Sequence, residues 1–435
     1  MFTLDPVKAT KRRGSKFALA AALMCGSALG LGAFAEPVQA QKNDEKPKYS
    51  KDFVSVYSPI NDLANAEVPD IEGVKAGLPA VLAAVSTPDD KRAAGSLIYS
   101  AGITSKDLGM QRQGIDMMLE SGRIPAERLG QYLYNSGQLA YQLEDLEGAR
   151  SRFKEALGAG YNTAELETTI AALYFQEDKT AEGLAYLKSV IESTVAAGGT
   201  PKEEWLVRGF SAAYNSDAGL DAINLSAMHV KYYPTERSWN NAIAMQRSFI
   251  DFKAAELLDI MRLADRADAL ITGNDFGDYI QAADARRLPG EVKRIVDQGI
   301  AAGALEASDP FVSEARSTAN ERIAADRAEL PQLEADARKA AATAITATAA
   351  GDVFLSYGMS AKAEELYAIA ATKAGADMDV VNTRMGIAQI DQGKIAEAKA
   401  TLDQVKGNRS AIAKLWQTYA DTQVGAAAVA AEAAM

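Results

Sequence analysis

The feature that most constrains this 435-residue chain is one spacing of small and large residues that occurs four times. Gly137 is followed by Ala149, Phe153 and Ala156; Ala171 by Gly183, Leu187 and Val190. Gly351 is followed by Ala363, Tyr367 and Ala370; Gly386 by Ala398, Leu402 and Val405, at the same intervals. Around the first copy, residues 131–161 read as two amphipathic helices joined by a turn at Glu144 and Asp145. Small residues let two helix backbones approach, and the large one fills the space beside them. One such hairpin cannot bury its own apolar face, so it must pack on others like it.

Gly137 and Ala171 lie 34 residues apart, and Gly351 and Gly386 lie 35 apart. Leu133, Tyr174 and Phe354 add apolar and aromatic matches, and Trp205 and Trp239 open two looser hairpins. In these residues the chain resembles the tetratricopeptide repeat family, whose period is 34. The resemblance covers roughly two thirds of the chain, counting two or three looser copies. It implies an all-α fold, a right-handed α-solenoid of antiparallel hairpins whose first helices line a concave binding surface. It is specific for architecture and nearly silent on activity.

Residues 1–40 read as a secretory signal. A basic stretch, Lys11 to Lys16, leads into the apolar run Phe17 to Ala35. Two small-x-small cleavage sites follow, ending at Ala35 and Ala40. The expected location is the periplasm or the exterior, with no membrane span once the signal is removed. Formal net charge is −12; the first 40 residues hold five cations and two anions, leaving −15 on the remainder. Phosphate backbones and anionic lipid repel such a chain, so no nucleic-acid partner is expected. The sole cysteine, Cys25, lies in the signal, and the sole histidine is His229. Thiolate chemistry is therefore unavailable to the mature chain, and no metal or other cofactor is expected. An oxygen-only calcium or magnesium site is not excluded by counts, but no EF-hand loop occurs.

After the signal, residues 41–69 carry Pro47, Pro59 and Pro69 among polar and charged residues, and read as a partly disordered leader. Residues 70–306 form an N-terminal helical block with repeat units at about 130–163 and 164–192 and looser units on either side. Within it, Ser105 to Asp107 marks a helix start, Gly122 a stop, and Pro79 a bend. Residues 307–343, rich in Ala, Glu and Arg, read as long connecting helices, started by Asp309 and Pro310 and kinked or restarted at Pro331. A C-terminal repeat pair with a capping helix fills 344–420, and 421–435 reads as a frayed tail.

Candidate chemistry concentrates on one helix face. Side chains three, four and seven apart share a face, so Tyr134, Gln138 and Tyr141 form a stripe flanked by Gln131 and Asn135. In the next repeat the same helical phase carries Thr168, Ala172 and Phe175. These eight residues are the expected peptide-binding surface, because aromatic and amide groups suit an extended peptide or a helix. The grip with which this family holds a C-terminal carboxylate needs Lys, Arg and Asn along such a face; only Asn135 is recognised, so that mode is not expected. His229 reads as a packed histidine, with Ser226 and Leu225 rather than a carboxylate one turn before it. Glu144, Asp145 and Glu147, Glu177 and Asp178, Glu203 and Glu204, and Glu364 and Glu365 fall at turns, helix starts or second helices, as caps and solvated acids do. No phosphate-binding glycine loop, nucleophile elbow or H-E-x-x-H motif occurs.

The expectation is an exported scaffold that binds a protein or peptide without catalysis. Two alternatives stand beside it. One is a self-assembling structural repeat protein, a homo-oligomer that sedimentation would expose. The other is a carboxylate-dependent glycan hydrolase, which needs two acids in one concave pocket.

Overall fold

A computed structural model describes residues 47–163 and 165–433, with side chains through Val424. The expected signal, Cys25 and both expected cleavage sites lie outside the described residues. Within them the chain is all-α: 20 helices, which hold 76% of the described residues, and no strand. It divides into two compact units, one ending at Gly183 and one starting at Leu184.

The first unit holds α1 (Lys51–Ala64), α2 (Ile71–Ala84), α3 (Pro88–Ser105), α4 (Leu108–Glu120), α5 (Ala126–Gln142), α6 (Leu146–Gly158) and α7 (Leu166–Gln176). The division falls inside the next helix, α8 (Thr180–Ala196). Consecutive helices pack as hairpins joined by short turns, with Lys106, Glu144 and Asp178 at positive φ. About half of the expected leader is helical, since α1 covers 51–64 of residues 41–69. Ser50 caps α1, Phe53 is buried, and the Ser50 amide donates to Asp90 at 3.0 Å. Phe53, Tyr57 and Ile60 repeat at helical spacing and pack against α2 and α3, which the three prolines obscured in the sequence. Ser105 ends α3, and Asp107 is the cap that starts α4. Pro79 lies within a continuous α2.

The repeated spacing has a common physical meaning. A Cβ on Gly137 would lie 2.6 Å from the Phe153 ring, one on Gly351 2.6 Å from Tyr367, and one on Gly386 2.6 Å from Leu402. Each glycine is a notch on a first helix that receives the large residue sixteen positions later. Gly209 and Leu225 form a further such pair at 2.9 Å, not recognised in the sequence. The pair α3–α4 packs backbone to backbone instead. A Cβ on Gly95 would meet the Gly114 carbonyl at 2.7 Å, and one on Gly102 the Gln111 amide at 2.7 Å.

The second unit holds α9 (Glu203–Asn215), α10 (Gly219–Tyr232), α11 (Glu236–Phe249), α12 (Ala254–Arg266), α13 (Gly273–Ala283) and α14 (Pro289–Ala301). It continues with α15 (Pro310–Ala337), α16 (Ala344–Ser356), α17 (Ser360–Ala371), α18 (Met378–Asp391), α19 (Ile395–Leu402) and α20 (Arg409–Ala433). One apolar core runs from Val230 to Ala420. Two expectations change. Residues 310–337 are a single helix through Pro331, which is exposed, so water can satisfy the carbonyl that the proline frees. That helix joins no separate blocks: Val312, Ala315, Ala319 and Ala337 are buried in the same core. Residues 421–433 continue α20. Neighbours alone do not hold this unit together, because α20 returns to pack on α10 and α12.

Candidate functional site

The expected binding stripe stands on α5, which is braced from behind. Ser136 is buried and donates to Asp116 of α4 at 2.6 Å, and the same carboxylate receives Arg112 at 2.7 Å and Arg152 of α6 at 3.1 Å. Phe153 fills the Gly137 notch, and the Tyr134 ring lies over it at 5.5 Å and beside Tyr161 at 5.0 Å. Tyr161 comes close because Gly130 has no side chain: a Cβ there would lie 2.5 Å from that of Tyr161. Gln138 Nε2 donates to the Tyr134 hydroxyl at 2.9 Å. Burial and the neighbouring Tyr161 raise the Tyr134 hydroxyl pKa against that hydrogen bond, so Tyr134 stays neutral and can donate outward. Gln131, Tyr134, Asn135, Gln138 and Tyr141 are all partly exposed, leaving a ledge of aromatic and amide groups.

The three residues expected from the next repeat are placed differently. Thr168 is 3% exposed and Ala172 6%, while Phe175 is partly exposed and packs against Gly183 rather than beside the α5 stripe. Six of the eleven residues of α7 are buried, so its inner face is spent on packing rather than presented as groove floor. The structure therefore brings five of the eight expected residues onto one ledge.

Two arginines were missed. Arg128 precedes Gln131 by three residues and Asn135 by seven, so it heads the same stripe. Burial raises the Tyr132 hydroxyl pKa, while the fields of Arg92 on α3 and of Arg128 pull it back, which places both cations near that ring. Their neighbours are paired, Lys91 with Glu120 at 2.6 Å and Arg123 with Asp89 at 3.1 Å. Neither Arg92 nor Arg128 forms an ion pair among the described residues. The signal lay in the sequence, since the i, i+3, i+7 stripe extends backward to Arg128.

The other singled-out groups hold structural positions. Asp145 caps α6 through the Gly148 amide at 2.9 Å, and Glu204 pairs with Arg208 at 2.9 Å. Glu177 pairs with Arg150 and Lys179, Glu364 with Lys394 at 2.6 Å, and Glu365 with Arg338. His229 is buried and has a carboxylate after all, Glu203 of α9 at 2.9 Å from Nε2. It comes from the neighbouring helix, where spacing along α10 could not show it. Among the described residues no three acids or histidines converge as metal ligands do.

The densest ionic cluster is in the second unit and was not anticipated. Asp259, fully buried on α12, receives Arg384 at 3.1 Å and Arg409, with Arg262 at 3.6 Å. Arg262 makes a two-pronged bond with Glu291, at 2.8 and 2.7 Å, and Tyr279 donates to Glu291 at 2.7 Å. Arg384 also holds Asp352 at 2.8 Å. Burial alone would raise the Asp259 carboxyl pKa, but the three guanidinium groups hold it below the ordinary value. Burial likewise opposes ionisation of Glu291, yet Arg262 and the Tyr279 hydroxyl bring it down to about 2. The cluster is sealed by protein: Trp416 Nε1 donates to the Asp259 carbonyl at 3.1 Å. Its chemistry is that of a clasp joining α12, α14, α16, α18 and α20.

No protein-family model matches the sequence, and no curated protein matches it.

Proposed function

We propose that the chain is an exported, tetratricopeptide-like repeat protein that captures an extended peptide or protein segment on the α5 ledge. The observation that carries this reading is the partly exposed line of Gln131, Tyr134, Asn135, Gln138 and Tyr141, headed by Arg128, which forms no ion pair among the described residues. Amides can pair with an otherwise unsatisfied peptide backbone, tyrosines supply rigid contact area, and Arg128 with Arg92 favours an acidic group at one end. The recurring glycine notches support antiparallel hairpins, the unit that a right-handed solenoid of this kind stacks. Export rests on the basic and apolar first 40 residues; no helix among the described residues is long and apolar enough to cross a membrane.

Crosslinking in native envelopes, followed by mass spectrometry, identifies the captured segment. Tyr134→Ala with Tyr141→Ala should then abolish capture while helicity by circular dichroism is unchanged. Replacing the exposed Glu147 and Glu155 of α6 should have no effect. If the tyrosine variant still captures its partner and changes on α6 do not, the binding face is on the other side of the hairpins.

A further inference from the structure

The second unit carries an apolar strip with an acidic rim, separate from the α5 ledge. Leu220 is 73% exposed at the start of α10, and Tyr214, at the end of α9, is 44% exposed. Tyr214 and Gly219, the residue before Leu220, stand beside Phe249 at the end of α11. Tyr214 meets its ring edge-on at 5.8 Å, and the bare Cα of Gly219 makes room for it, since a Cβ there would lie 2.6 Å from the ring. Phe249 continues into a cleft of about 770 Å³ lined also by Ile250, Phe252 and Leu257. That cleft shares Asn274 and Asp278 with a second, of about 610 Å³, which reaches Leu305 and the half-exposed Phe311. Apolar groups thus recur from Leu220 and Tyr214 through Phe249 and Phe252 to Leu305 and Phe311, with Asn274 and Asp278 between the two clefts.

Its rim is acidic. Asp251, Asp278, Glu306 and Asp309 line the two clefts, and the exposed Asp217 sits at the turn between Tyr214 and Leu220. Among the lining residues the only cation is Arg247, and it is committed to Asp275, at 3.1 Å, and to Asp278. Asp275 and Asp309 are occupied as helix caps, and the exposed Lys253 lies just beyond Phe252. That leaves Asp217, Asp251 and Glu306 without a cation among the described residues.

We propose that this strip docks a cationic amphipathic helix of a partner protein, its leucine-type side chains on Leu220, Phe249 and Phe252 and its lysines or arginines against the rim. Exposed apolar surface gives the affinity, and the surplus carboxylates choose the sign of the partner and speed its approach. Anionic lipid and nucleic acid are turned away by the same charges. A second copy of this chain is disfavoured as occupant by its own net negative charge.

The test uses the purified mature chain and three labelled 16-residue peptides: a helical Leu/Lys peptide, its Leu/Glu counterpart, and a Lys/Ser peptide without apolar residues. Fluorescence anisotropy at 50 mM salt should show saturable binding of the Leu/Lys peptide at least tenfold tighter than of either other. Leu220→Ser with Tyr214→Ser should weaken it at least tenfold, and so should Asp251→Lys with Glu306→Lys. These positions are at the surface, so melting curves close to that of the parent accompany the result. Tyr134→Ala with Tyr141→Ala should leave it unchanged. Equal binding of the Leu/Glu peptide overturns the charge argument. Equal binding of the Lys/Ser peptide, or indifference to the Leu220 and Tyr214 changes, reduces the effect to general attraction of opposite charges and overturns docking. Self-association by sedimentation that Leu220→Ser abolishes would assign the strip to a second copy and also overturn the proposal.

Discussion

Asp259→Ala is the sharpest probe of how the second unit holds together. The substitution removes the carboxylate that Arg409 alone depends on, while Arg384 keeps Asp352 and Arg262 keeps Glu291. Arg409 is 5% exposed and would be left charged without a partner. Breaking a buried pair from one side costs about 3–5 kcal/mol. For a unit of this size each kcal/mol lowers Tm by roughly 2–4 °C, so a fall of roughly 6–20 °C is expected. The three tryptophans, Trp205, Trp239 and Trp416, all belong to this unit, so tryptophan fluorescence reports its transition. Asp259→Leu combined with Arg409→Met replaces the pair by apolar groups and should recover most of the loss. A single variant melting within about 2 °C of the parent, or a double variant no better than the single, would refute the clasp; 2 °C is about 1 kcal/mol or less here.

Three further outcomes follow from the same geometry. Gly137→Leu must push into the Phe153 ring and should cost about 1–3 kcal/mol, whereas Ala159→Leu, at the partly exposed end of α6, should cost little; equal melts would mean that the α5–α6 pairing is wrong. Glu291 has a folded pKa of about 2 against an ordinary 4.5, so its contribution is complete above 4.5 and is lost as pH falls toward 2. Urea titrations between pH 6 and 2.5 should show that decline, and Glu291→Gln should lower stability at pH 6 and flatten the acid slope. Terminal sequencing of the envelope-fraction protein should find Glu36 or Gln41 first; an intact Met1 would count against cleavage.

Much of the helical framework was legible because its signals are local. The glycine-to-large spacing names hairpin partners sixteen residues apart, and Gly137, Gly351 and Gly386 each receive the residue the pattern names. Asp309 with Pro310 marks a helix start through capping and the missing proline amide. The α5 ledge was legible in part for the same reason, since a stripe is a property of one helix.

What the sequence by itself determined is helix content, hairpin pairing and the faces of individual helices, all set by spacings of three to sixteen residues. Tertiary structure decided the rest. Whether Thr168 and Ala172 are exposed depends on how many neighbours cover α7, which helical phase does not specify. Asp259 meets Arg384 and Arg409 across 125 and 150 residues, and no local pattern encodes a pairing at that distance. The physical reason is that burial and ionic pairing depend on which helices return to one another. That return, α20 onto α10 and α12, turns isolated charges in apolar helices into a closed clasp.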